Sequence, residues 1–79
     1  IMLYKYIIRL EILNGLECDI KCKDKNELIE NIKLLLFKYE GYSYSIKYIG
    51  TYSKEIIKGT LESNDLDVIE SFDELNEED

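Results

Sequence analysis

The chain has 79 residues and a net charge of -7. That length makes one domain at most and buries only about 60% of the surface of the unfolded chain, leaving little room for an enclosed catalytic pocket. With no His and no Trp, it excludes His-based acid/base catalysis, a Ser-His-Asp or Cys-His nucleophile, and His-containing zinc sites. The charge is unevenly placed. Residues 1 to 60 hold all ten Lys and Arg and eight acids, for a net +2, whereas residues 61 to 79 hold nine acids and no base.

Residues 2 to 12 alternate, with Tyr4, Tyr6, Ile8, Leu10 and Ile12 on one face and Lys5, Arg9 and Glu11 sharing the other with Leu3 and Ile7. Tyrosine and isoleucine at period two predict a strand. A second strand follows, with Leu16, Cys18, Ile20 and Cys22 opposite Glu17, Asp19, Lys21 and Lys23, and Asn14-Gly15 between the two marks a hairpin. A two-residue loop pairs Leu13 with Leu16 and Ile12 with Glu17, which sets an apolar face beside a polar one. A three-residue loop, Leu13-Asn14-Gly15, pairs Ile12 with Leu16, Leu10 with Cys18 and Ile8 with Ile20, and it brings Arg9 opposite Asp19. The second register is therefore expected.

Cys18 and Cys22 on one strand lie about 13 Å apart at roughly 3.3 Å per residue, too far for a mutual disulfide. Without further Cys or His they complete no Cys₄ or Cys₂His₂ site, so no metal and no cofactor are expected, and both read as small core residues in a reducing cytosol. No apolar run approaches the roughly 18 residues of a membrane span, and no signal peptide opens the chain, in which Met2 reads as the native start. The expectation is a soluble, intracellular protein with no membrane partner.

Asp24-Lys25-Asn26-Glu27 has the spacing of a capping box, with Asp24 as N-cap and Glu27 bonding back. Helical spacing then puts Leu28, Ile29, Ile32, Leu35, Leu36 and Tyr39 within an arc of about 120°, the stripe that lies on the sheet, and Gly41 is the stop signal. Leu34 and Phe37 fall off this arc, among Glu27, Glu30, Lys33 and Lys38. They call for a second cover: the C-terminal segment, a second copy of the chain, or a target.

Tyr42, Tyr44, Ile46 and Tyr48 alternate with Ser43, Ser45 and Lys47 as a third strand, and Gly50-Thr51 turns the chain. Residues 51 to 58 read as a fourth strand whose poor alternation predicts an edge position or a bulge near Gly59. From Ser63 or Asn64 onward, Leu66, Val68, Ile69, Phe72 and Leu75 recur at amphipathic helical spacing, with Asp65 and Asp67 suited to the first turn. The expected fold class is α+β: a small four-stranded antiparallel sheet in β-β-α-β-β order, one helix on one face, and a C-terminal acidic helix or tail. Residues 1 to 60 form the body, and residues 61 to 79 belong to the same single domain.

Two groups of residues are candidates for function. Glu62, Asp65, Asp67, Glu70, Asp73 and Glu74 offer negative charge on one face of a segment whose other face is apolar. A solubilising surface needs no such periodicity. A carboxylate array competes for the Lys and Arg with which a nucleic-acid cleft holds phosphates. Leu34 and Phe37 add an apolar contact. The other group, Tyr42, Tyr44, Lys47, Tyr48, Tyr52, Lys54 and Lys58, interleaves aromatics with cations, a composition that stacks bases and neutralises phosphates. The alternative for Tyr42, Tyr44 and Tyr48 is that they are core or half-core residues beneath the helix. No general base and no Gly-rich phosphate loop stand out, so no enzyme is expected.

In size, acidity and lack of catalytic groups the chain resembles the small inhibitors that phages and mobile elements deploy against host defence, anti-CRISPR proteins and other DNA mimics among them. The resemblance is one of type and rests on no motif. It implies steric blockade of a basic nucleic-acid-handling host protein, such as a CRISPR effector, in the host cytoplasm. Because the body is net positive, such mimicry is local to residues 61 to 79. The alternatives from other classes are a sheet that binds single-stranded nucleic acid under the control of the acidic end, and a homodimeric interaction module.

Overall fold

A computed structural model describes residues 4–50 and 52–72. Their elements run β1 (Tyr6–Leu13), β2 (Leu16–Cys22), α1 (Lys25–Tyr39), β3 (Ser43–Ile49), β4 (Ser53–Thr60) and α2 (Asp65–Glu70). The strands form one antiparallel sheet in the order β2-β1-β3-β4, so β1 and β3 are central and β2 and β4 are edges. Both helices lie on one face. The α+β class and the β-β-α-β-β order are those expected.

The core follows from the alternation. Tyr6, Ile8 and Leu10 of β1 and Tyr44, Ile46 and Tyr48 of β3 are buried, and Leu28 and Ile32 of α1 close over them. Ile29, Leu35, Leu36 and Tyr39, the rest of the stripe, pack at its margin. The α1 N-terminus is capped as its sequence predicts, since the Asp24 carboxylate accepts from the Glu27 N–H at 2.9 Å. Glu27 bonds back to the N–H of Lys23, one residue earlier than the usual box. Gly41, at φ 90°, ends the helix in the left-handed region, where a side chain is strained.

The hairpin resolves the parity conflict by another route than the expected three-residue loop. Ile8 pairs with Ile20, Arg9 with Asp19 and Leu10 with Cys18, as the alternation requires. The turn itself is the two-residue Asn14-Gly15, with φ of 50° and 85°, the two positive values of a type I′ turn. Leu13 pairs with Leu16, and the extra residue is Ile12, bulged between Glu11 and Leu13. Asn-Gly is so well suited to type I′ that the strand rather than the loop takes up the odd residue. The tip then projects past the helices, leaving Leu13 62% and Leu16 67% exposed.

Cys18 lies on the helix side opposite Leu10 but is exposed, so it is not a core residue as expected. Cys22 is buried. Burial pushes the Cys22 thiol up to about 11, which keeps it protonated and unreactive at neutral pH.

β4 is an edge strand, as expected, but the place of its bulge is a further correction. Its bulge is at Ile56 and not near Gly59, for Ile46 pairs with Ile57 while the next residue, Lys47, pairs with Glu55. Breaking the alternation between two adjacent isoleucines leaves both half-buried, whereas strict alternation would expose one.

Beyond β4 the chain returns to the core. Leu61 is fully buried, its N–H donates to the Tyr42 carbonyl at 2.8 Å, and its carbonyl accepts from the Gly41 N–H at 2.7 Å. In α2, Ile69 is fully buried, while Val68, expected on the docked face, is 43% exposed. The helix is one turn and a half long, and its single buried side chain fixes which way it faces. Leu75 lies outside the described residues.

Candidate functional site

Three connections hold α2, and with it the acidic surface. Ile69 enters the core, and Leu66 and Phe72 pack against it. The Tyr44 hydroxyl donates to Asp65 Oδ2 at 2.8 Å, and the Glu62 N–H donates to the same oxygen at 3.0 Å. Finally, Lys25 Nζ donates to the carbonyls of Glu70 and Phe72, both at 2.7 Å. A cation at the last carbonyls of a helix complements its dipole and satisfies acceptors left without an intrahelical partner. No sequence pattern announces the bonds of Lys25 or the Tyr44–Asp65 bond, because their partners lie 45, 47 and 21 residues apart.

The six candidate acids therefore divide. Asp65 is half-buried and occupied internally. Glu62, Asp67 and Glu70 are exposed. Among the described residues none of these three has an ion pair, and Glu62 accepts a 3.2 Å hydrogen bond from the Thr60 hydroxyl. Asp73 and Glu74 lie outside the described residues. Leu34 and Phe37 are 63% and 92% exposed on the side of α1 turned away from the sheet, and no described residue covers them.

The tyrosine and lysine group is scattered. Tyr44 and Tyr48 are core residues at 4% and 3% exposure, under the helices, and present no ring face to a base. Tyr42 lies at the margin, its ring 5.2 Å from that of Tyr39 in an edge contact. Tyr52 is exposed beside the β3–β4 turn, and Lys54 is exposed opposite Tyr48. Only Lys47 and Lys58 reach the bare face of the sheet.

That face forms an open groove of about 490 Å³, lined by Arg9, Glu11, Glu17, Ser45, Lys47, Glu55 and Lys58 among others. Its charges are mixed and largely matched. Arg9 forms a two-pronged bond to Asp19 across β1 and β2, at 2.8 and 3.0 Å, and approaches Glu17 at 3.7 Å. The Arg9 hydrogen bond holds the Asp19 carboxyl below its ordinary range. Lys47 stands opposite Glu55 in the β3–β4 register. Among the described residues no group of three His, Cys, Asp or Glu is placed to hold a metal ion, and no helix is long and apolar enough to cross a membrane.

Tyr44 links the core to the acidic surface, and its titration reports that link. Burial, followed by the hydrogen bond and charge of Asp65, raises the phenol well above its ordinary value. A folded-state value above the unfolded one means that the protonated phenol stabilises the fold fully below about pH 10, and that this contribution is lost as pH rises beyond it. Tyr44→Phe is therefore expected to cost about 1 to 2 kcal/mol near neutral pH. The gap between the two proteins, read from urea unfolding at neutral and alkaline pH, should narrow above about pH 10. A gap independent of pH would place no weight on the Tyr44–Asp65 bond.

Comparison of the chain with models of protein families, with curated proteins and with solved structures found no match.

Proposed function

We propose that this chain is a non-enzymatic binding protein that blocks a basic, nucleic-acid-handling protein through the acidic surface carried by α2. The supporting observation is that Glu62, Asp67 and Glu70 stand exposed and, among the described residues, without ion pairs, on a segment anchored by Ile69, Tyr44–Asp65 and Lys25. An anchored backbone spares these carboxylates the ordering cost that a disordered acidic segment meets on binding. The exposed side of Val68 adds an apolar contact among them. Asp73 and Glu74 continue the acidic run in the sequence. Asp65 is assigned a structural role instead.

A phage or mobile-element inhibitor acting in the host cytoplasm, with a CRISPR effector or another defence nuclease as its target, is the biological form that this reading takes. The arginines with which such a protein reads bases and phosphates are suited to carboxylates as well.

The test is capture from a bacterial lysate treated with nuclease, with the full chain and the triple variant Glu62→Lys/Asp67→Lys/Glu70→Lys as baits. The full chain is expected to retain a basic nucleic-acid-binding protein that short duplex DNA displaces and that rising salt releases. The triple variant should bind it at least about tenfold more weakly and with a flatter salt dependence. Equal retention by both baits, or a partner that DNA does not displace, would sink the proposal.

A further inference from the structure

The two edges of the sheet are unlike. β4 is broken by the bulge at Ile56 and carries Lys54 and Lys58, devices that discourage pairing with another chain. β2 also carries charge, at Glu17, Asp19 and Lys21, but of both signs, and it has no bulge. The irregularity of its hairpin falls in β1, at Ile12, so β2 runs without interruption from Leu16 to Cys22. Alternate residues of β2 direct N–H and C=O away from β1, and no described strand lies beyond them.

We propose that two copies of the chain join through β2, antiparallel, about a two-fold axis at Ile20, making one continuous sheet across both copies. A two-fold pairing makes the surface meet itself, so the charges of β2 select the register. With the axis at Ile20, Asp19 faces Lys21 of the second copy within the strand and Glu17 faces its Lys23, the residue directly after β2, each pair occurring twice, and no like charges meet. Moving the axis to Asp19 or to Lys21 sets that residue against itself, and moving it to Cys18 sets Glu17 against Asp19. Opposite charges across strands stabilise a pairing and like charges destabilise it.

The helix side of the interface is compatible as well. Ile20, half-buried in a single copy, meets Ile20 of the second copy. Asn31 Nδ2 lies 3.7 Å from Cys22 Sγ, which identifies the flank of α1 that faces the β2 edge. Leu34 and Leu35, three and four residues on, share that flank. The second copy's α1 therefore comes beside them and covers part of Leu34, leaving Phe37 outside. This interface uses no residue of α2, so it stands or falls separately from the acidic surface.

Sedimentation equilibrium of the full chain decides it, under reducing conditions so that the exposed Cys18 forms no cross-link. The mass is expected to rise from 9.4 kDa toward twice that value with concentration. Glu17→Lys or Lys23→Glu places two pairs of like charges across the axis and should weaken association at least about tenfold. Mixing the two single variants restores the opposite pairs in a mixed dimer, and combining both changes in one chain restores them in a homodimer. Circular dichroism establishes that these surface variants are folded, and the double variant carries the test should one of the single variants unfold. The proposal is overturned by a chain that stays at 9.4 kDa up to about 1 mM. A dimer indifferent to the single reversals, or reversals that neither mixing nor combination repairs, would overturn it equally.

Discussion

A chain ending at Thr60 is expected to be unfolded in water at room temperature, although the removed residues are the most acidic part of the sequence and resemble a dispensable tail. The truncation deletes Leu61 and Ile69, both fully buried, together with the two backbone bonds between Leu61 and the α1–β3 connection and the Asp65 partner of Tyr44. Losing a large aliphatic side chain from a core costs about 2 to 5 kcal/mol. A single core in a domain of this size rarely supplies more than about 3 to 5 kcal/mol in total. Two such losses therefore exceed what the remainder can hold. Loss of amide dispersion in an NMR spectrum and of a cooperative urea transition is the expected observation. A truncated chain that still unfolds cooperatively would show that residues 61 to 72 add nothing the body needs. It follows that truncation is the wrong control for the acidic surface, and that charge reversal at Glu62, Asp67 and Glu70 is the right one.

The second large effect contrasts two positions on α1. Ile32→Ala should lower the stability by about 2 to 4 kcal/mol, because Ile32 is fully buried between the sheet and the helix layer and its removal leaves a cavity. Phe37→Ala, five residues on, removes a larger side chain that is 92% exposed, and it should change stability by no more than about 0.5 kcal/mol. The two urea midpoints, compared at equal slope, make the measurement. A substantial cost at Phe37 in dilute solution would mean that something covers the ring, contrary to the exposed position described above.

Much of the architecture is legible from alternation. Tyr6, Ile8 and Leu10, or Tyr44, Ile46 and Tyr48, repeat at period two, and Leu28 and Ile32 fall on one stripe at period 3.6, because burying one face of each element is the only way a chain this short acquires a core. The capping box at Asp24 and Glu27 and the stop at Gly41 are local chemistry and read as such. The edge position of β4 and its poor alternation are connected, but Ile56 and Ile57 conceal the bulge, since either residue can be the extra one until the partner strand is known.

The candidate sites were less legible. Tyrosine between lysines looks the same in a nucleic-acid platform and in an amphipathic strand, and only the position of the helices shows that Tyr44 and Tyr48 face the core. Asp65 cannot be told from Asp67 by type or spacing, yet one is occupied by Tyr44 and the Glu62 N–H while the other meets solvent. Lys25 gives no sign in the sequence that its ammonium closes the far end of α2.

By itself, the sequence determined the element types and their order, the helix-facing stripe, the register in which Arg9 meets Asp19, and the concentration of acid after residue 60. These depend on backbone preference and on side-chain period within a dozen or so residues. Only the tertiary structure decided the strand order β2-β1-β3-β4, the bulges at Ile12 and Ile56, the exposure of Cys18 and Val68, and the inclusion of Leu61 in the core. Each of those depends on which distant surface is left to be covered once the local elements have formed, a quantity that packing sets and periodicity does not.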